Sequence, residues 1–213
     1  MPPPGETSVV ATPVAAESPL AAATPRFLVD SEASEIRLLI YRAGPLARFG
    51  HNHVISGRVQ GEIRAGERAA ESGFRLEIPV ESFIVDSPAA RAEEGEEFAA
   101  DVSEEARQAT RANMLGKDVL DAASRPLIEI NSIALAGPRW NPTVVARASL
   151  HGATRDLQFP AAVFQQGDLV VVVASFRVKQ SDFGLTPYTA LGGGLQVRDA
   201  LDIRLRLVAR RAS

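Results

Sequence analysis

An all-β domain, an antiparallel barrel or sandwich of about eight strands with one helical insertion, is predicted by this sequence on three observations. Apolar residues recur at every second position in run after run from Phe27 onward. Turn residues separate those runs at short intervals. The alternation fails once, in an acidic, Ala-rich stretch over about residues 89–116. Periodicity alone does not separate a barrel from a sandwich.

Composition sets the bounds. At 213 residues and 46% hydrophobic content the chain holds one good domain, expected over residues 26–213. A domain of that size buries roughly 70% of the surface its unfolded chain exposes, so it needs no staples. The sequence has no cysteine, which excludes a disulfide framework and any Cys-ligated zinc. A net charge of -3 argues against a nucleic-acid partner, because phosphate binding needs concentrated Lys and Arg. No stretch is long and apolar enough to span a membrane. Residues 1–25 are expected to be a disordered leader, since Pro2, Pro3, Pro4, Pro13, Pro19 and Pro25 recur among Ala, Ser and Thr. As written, the leader lacks the basic start and unbroken apolar run of an export signal.

The strands follow in order. Glu35 to Tyr41 places Ile36, Leu38 and Ile40 on one face, and Ala43-Gly44-Pro45 ends it. His53 to Arg64 sets Val59, Gly61 and Ile63 against Arg58, Gln60, Glu62 and Arg64, with Gly57 and Gly61 marking sharp curvature or a bulge. Phe74 to Glu81 is apolar at every even position, and Pro79 predicts an edge or a bulge there. Ser103-Glu104-Glu105-Ala106 offers an N-cap with acids in the first turn of a helix that ends before Gly116. This excursion is either a solvated cap or a gate over the barrel mouth. Strands resume at Leu127 to Ala136, at Thr143 to His151, at Leu157 to Val163, at Asp168 to Lys179 and at Leu201 to Leu207. A tight turn is expected at His151-Gly152-Ala153-Thr154.

The stretch from Arg48 to Gly61 carries two of the three histidines beside a turn glycine and runs straight into a strand. On that strand His51, His53 and Ile55 share one face, and Asn52, Val54 and Ser56 the other. Imidazoles beside apolar groups are what the mouth of a barrel with an apolar interior would present. Ala146, Ala148, Ala161 and Ala174, on otherwise aliphatic faces, would make room inside.

Four segments then carry a resemblance. His53 to Gly61, Glu129 to Ser132, Ala148 to Arg155 and Lys179 to Leu185 resemble, in order and spacing, the successive signatures of the YceI-like family of lipocalin-like, polyisoprenoid-binding proteins. The likeness covers roughly residues 27–209, with the leucine-histidine-glycine turn and the serine-aspartate-phenylalanine-glycine turn its most specific parts. It implies a lipocalin-like extended eight-stranded antiparallel barrel whose tunnel holds an isoprenoid or other long amphiphilic lipid, without a cofactor. The protein would carry or store that lipid, in a compartment left open between the cytoplasm, as the leader is written, and the periplasm, as the resemblance suggests, and a homodimer is compatible with it. Positions expected to contact the ligand are Phe49, His51, His53 and Ile55 from the opening stretch, and Phe74, Leu76 and Ile78 from the next strand. Ile130, Ala148, Leu150, Phe159, Phe176, Phe183 and Tyr188 complete the set. Selectivity would sit at the mouth, in His51, His53, Asn52 or Tyr188.

The competing reading is a metal-dependent hydrolase. His51, His53 and His151 could hold a metal through three imidazoles, although no Glu or Asp is obviously placed as the base. Covalent catalysis has no GxSxG elbow and no cysteine, and Gly192-Gly193-Gly194 lacks the following Gly-Lys-Ser/Thr of a phosphate loop.

Overall fold

The computed structural model describes residues 24–212, so nearly all of the expected leader lies outside the described residues. The chain begins with β1 (Arg26–Val29) and β2 (Glu35–Ile40), the two-residue β3 (Arg42–Ala43), β4 (His53–Arg58), β5 (Gln60–Arg64), β6 (Gly73–Pro79) and the two-residue β7 (Ile84–Val85). Helices α1 (Pro88–Ala92) and α2 (Glu104–Leu115) come next. The long strands β8 (Leu127–Ala136), β9 (Thr143–Leu150), β10 (Ala153–Gln166) and β11 (Leu169–Lys179) follow, then the short β12 (Thr189–Ala190) and β13 (Leu195–Val197), and finally β14 (Ala200–Arg211).

Closure decides between barrel and sandwich. The ladder runs β1-β5-β6-β8-β9-β10-β11-β14, and β14 pairs back onto β1, which makes a closed antiparallel barrel of eight strands. A closed sheet has no free edge, so the expected edge at Pro79 is met in another way. On one side β6 pairs with β5 only as far as Gln60↔Glu77, while on the other it reaches Pro79↔Leu127. Proline stands where the strand has a single neighbour. β2 and β4 pair with each other beyond the breaks after β1 and before β5, and extend the wall at one end. That end also carries a small flap of three strands in which β13 bridges β12 and β3.

Alternation puts Phe27, Ile63, Leu76, Ile130, Val144, Phe159, Val170, Phe176 and Leu205 into one buried core. Each such side chain contributes roughly 1.5–3 kcal/mol. Both strand glycines have steric reasons. A Cβ at Gly57 would lie 2.6 Å from the buried Phe83 ring, and at Gly61, with φ +137, it would lie 2.1 Å from the Arg75 carbonyl oxygen. The expected tight turn is present: His151 (φ 52) and Gly152 (φ 79) are both left-handed, as a two-residue hairpin loop requires. One β-bulge falls between Ser132 and Ala134 in β8, shifting the inward position to Leu135.

The insertion is helical where its caps predict. The Ser103 hydroxyl accepts from the Ala106 amide, Glu104 and Glu105 sit in the first turn, and α2 stops at Gly116. α1 starts at Pro88 behind Ser87, whose hydroxyl accepts from the Ala90 amide. Ala90 and Phe98 press onto Leu39 and Val54, forming a second small core outside the barrel wall.

Candidate functional site

Two apolar cavities lie along the barrel axis, with no lining residue in common. The lower one, about 70 Å³, is walled by residues such as Phe74, Leu76, Ile130, Phe159, Ala161 and Ala174. The upper one, about 190 Å³, lies under α2 and is bounded by Ile40, His53, Ile55, Met114, Leu150 and Tyr188 among others. The expected single tunnel is therefore divided. Phe159 and Phe176 stack face to face at 4.2 Å and 13° on the lower wall. Ile203 pairs with Phe176 on one side and Leu38 on the other, and is buried on neither cavity wall. Large aromatic and branched side chains at this level fill the radius that alanines leave open elsewhere.

The expected contact residues divide accordingly. Phe74, Leu76, Ile130, Phe159 and Phe176 line the lower cavity, and His53, Ile55, Leu150 and Tyr188 the upper. Ile78, Ala148 and Phe183 are buried in the core on neither wall. Phe49 is 65% exposed on a 3₁₀ turn with the Arg48 guanidinium 4.7 Å over its ring, so it stands outside the barrel. Sequence reasoning missed the roof of the upper cavity: Thr110, Asn113 and Met114 from α2, and Val119 and Leu120 just after it. The helix is thus part of the cavity wall. Helical spacing within the insertion, with Thr110, Asn113 and Met114 three and four apart, was the available signal.

Behind His53 lies a buried polar network that sequence reasoning also missed. Asp86 is fully buried at a left-handed φ of 52, between β7 and α1. Its Oδ2 lies 2.6 Å from His53 Nδ1, and its Oδ1 accepts the Val54 amide at 2.8 Å and Arg91 Nη1 at 2.5 Å. Arg91, itself buried, also donates to the carbonyls of Asn52 and Ala100, both at 2.8 Å. Asn52 in turn accepts the Arg42 amide and donates to the Glu97 carbonyl. Both ends of the Asn52 amide group are thereby engaged in bracing this stretch. Burial alone would raise the Asp86 carboxyl, but the bonds from His53, Val54 and Arg91 outweigh it and hold it below its ordinary value.

An ionised carboxylate is acceptor-only, so His53 gives it Nδ1–H, and that bond fixes the orientation of a ring that lines the cavity and carries Nε2 on its other side. His51 packs edge-on against that ring at 4.5 Å. Burial, then the neighbouring His53 charge, lowers its pKa, and its buried Nε2 has no partner among the described residues.

The cluster also tests the metal reading. Among the described residues, His51, His53 and Asp86 bring one ligand atom each within 4.8 Å of one another, and His151 is not in the group. The tri-imidazole set is corrected on that ground: His51, in the stretch just before β4, packs on His53 at the start of β4, while His151 belongs to the β9–β10 turn. Asp86 already spends both oxygens on Arg91, Val54 and His53, which suits a carboxylate that orients an imidazole more than one that binds a cation.

The family described as the YceI-like domain matches residues 27–209. Among solved structures, BcnA of Burkholderia cenocepacia superposes with a TM-score of 0.58 at 18% identity, covering 84% of this chain and 98% of that one. The YCEI protein of Campylobacter jejuni does so at 0.50 and 13% identity, covering 73% of this chain and 81% of that one. A mutant of that protein was solved with a monobromobimane guest. At such identities the likeness speaks for the fold. No curated protein matches the chain.

Proposed function

The chain belongs to the YceI-like family of β-barrel binding proteins, and from that premise we propose that it carries a long amphiphilic lipid, a polyisoprenoid by preference, without catalysing a reaction. One observation carries the reading. Beneath α2 lies an apolar cavity of about 190 Å³ with His53, Thr110, Asn113, Gln180 and Tyr188 among its lining, a greasy chamber with a few convergent polar groups. The His53 acceptor, held in one orientation by Asp86, suits a head group that donates an O–H or N–H. The chain below it gains about 0.8 kcal/mol per buried methylene. A cavity of this volume falls under the roughly 300–1,000 Å³ of pockets for drug-sized ligands. A long tail therefore enters the lower cavity by displacing the aromatic level between the two.

Native mass spectrometry of protein expressed in a lipid-replete host, followed by organic extraction, tests the proposal. A bound apolar species lost on denaturation supports it; a homogeneous unliganded mass with nothing extractable overturns it. The cluster of His51, His53 and Asp86 favours a metal-dependent hydrolase as the second reading. Stoichiometric zinc by elemental analysis, lost on His51→Ala, would favour that one.

A further inference from the structure

The outer face of β10 and β11 is unlike the rest of the barrel surface. Outward positions there are Pro160, Ala162 and Phe164 on β10, against Val173 and Val171 on β11. Phe164 pairs with Val171, and Ala162 with Val173, so the apolar side chains form one patch. Trp140 stands on the adjoining β8–β9 hairpin, which is tied to β10 by the Trp140 carbonyl accepting the Val163 amide and by Arg139 donating to Gln165. Trp140 is 70% exposed, Phe164 57% and Val173 49%. Scattered apolar residues are ordinary on a surface, but paired apolar rows beside a hairpin that exposes the chain's single tryptophan are not.

Charge narrows the partner. Between residues 157 and 179 the sequence holds one acid, Asp168, and that is paired with Arg211. Arginines flank the patch at Arg206, opposite Val173 and next to Glu35 across the sheet, at Arg210, which lies 3.8 Å from Asp30, and at Arg139 on the hairpin, which also reaches the lower cavity. The acids crowd elsewhere, with Glu93, Glu94, Glu96, Glu97, Asp101, Glu104 and Glu105 in the insertion at the other end. A second copy docked by a two-fold would set these cations against themselves, which costs free energy. Tryptophan and phenylalanine ringed by arginine suit an anionic lipid surface, where an amphipathic ring sits at head-group level. The same hairpin and strand supply Arg139, Pro142, Val163 and Gln165 to the lower cavity, so the patch lies on the outer side of that cavity's wall.

We infer that this face docks the protein on an anionic bilayer, with Trp140 and Phe164 as anchors, so that the lower cavity meets the lipid phase. The inference rests on the lipid-carrier reading for its purpose but is tested apart from it. The full chain is sedimented with vesicles of phosphatidylcholine alone or of equimolar phosphatidylcholine and phosphatidylglycerol, at low and high salt. Preferential binding to the anionic vesicles, weakened by salt, is expected. The double variant Trp140→Ser, Phe164→Thr should lose at least about tenfold in affinity and Arg139→Ala about fivefold. Phe49→Ser, on the flap at the opposite end, should bind like the parent. Equal binding by parent and double variant, no binding at all, or loss on Phe49→Ser instead overturns the inference. A dimer that the double variant converts to monomer, with vesicle binding absent, overturns it too and assigns the face to a second copy. Extractable lipid in a protein that ignores vesicles sinks the docking face alone, whereas vesicle binding without extractable cargo sinks the carrier reading alone.

Discussion

The lower cavity takes nearly all its walls from strand residues two apart in sequence, whereas the upper cavity borrows Thr110, Asn113 and Met114 from α2, Val119 and Leu120 from the turn after it, and Leu185 and Tyr188 from the loop before β12. One end is a barrel interior lined by its own alternation. The other is roofed by an insertion that a buried ion pair, Asp86 with Arg91, ties to the first residues of β4. The difference teaches how one fold combines an apolar interior built by strand alternation with a roofed end braced by buried polar groups. Strand periodicity suffices for the first. The second needs buried polar groups held in fixed orientations, hence the long-range bonds around Asp86.

The largest expected effect tests that tie. Asp86→Ala removes the partner of two buried groups and leaves Arg91 uncompensated, which should cost about 4 kcal/mol in chemical denaturation. A loss under about 1 kcal/mol would mean that the insertion holds its place without the network. Phe176→Ala acts at the level between the cavities. It should cost about 3 kcal/mol and join the two spaces. Longer extracted chains than in the parent are the expected readout, and unchanged cargo length would show that the aromatic stack does not limit depth.

The upper end should also be the acid-sensitive one. Asp86 has a folded pKa below its ordinary 3.8, so its stabilisation is present above that value and is lost as pH falls through the folded value. His51 has a folded pKa below its ordinary 6.5, so the native state resists the proton that the unfolded chain accepts, and stability declines as pH drops below 6.5. Both act in one direction. The melting temperature should hold near and just above about pH 7 and fall progressively below about 6.5. His51→Gln should flatten the first part of that fall, and a profile unchanged by this variant would remove His51 from the account. The smallest effect belongs to the outer face of the lower end. Trp140→Ser with Phe164→Thr should alter stability by under about 0.5 kcal/mol each, because neither ring is packed in the core. A melting temperature that falls sharply would show that the patch is structural.

Much of this molecule is legible from its residues. Leu127 to Ala136 is a strand to the residue, Ser103 and Gly116 bound α2, and the histidine turn after β9 has its two left-handed positions. Each rests on neighbours a few positions apart. Asp86 could not be read in the same way. Ser87 and Pro88 mark a helix start just beyond it, but nothing nearby says that its carboxylate meets His53 across 33 positions of chain. Phe49 misled in the opposite sense: it stands two residues from His51, yet a 3₁₀ turn throws its ring outward.

Sequence alone settled which residues share a strand face, apart from the shift at the β8 bulge, because a strand's side chains alternate whatever its neighbours are. It also set the limits of α2, because caps are local bonds. Only the tertiary structure decided that the sheet closes into a barrel, that its axis is divided at Phe176 and Ile203, and that Asp86 and α2 complete the upper end. Closure, register and the volume left inside depend on how distant strands meet, and no local pattern encodes those distances.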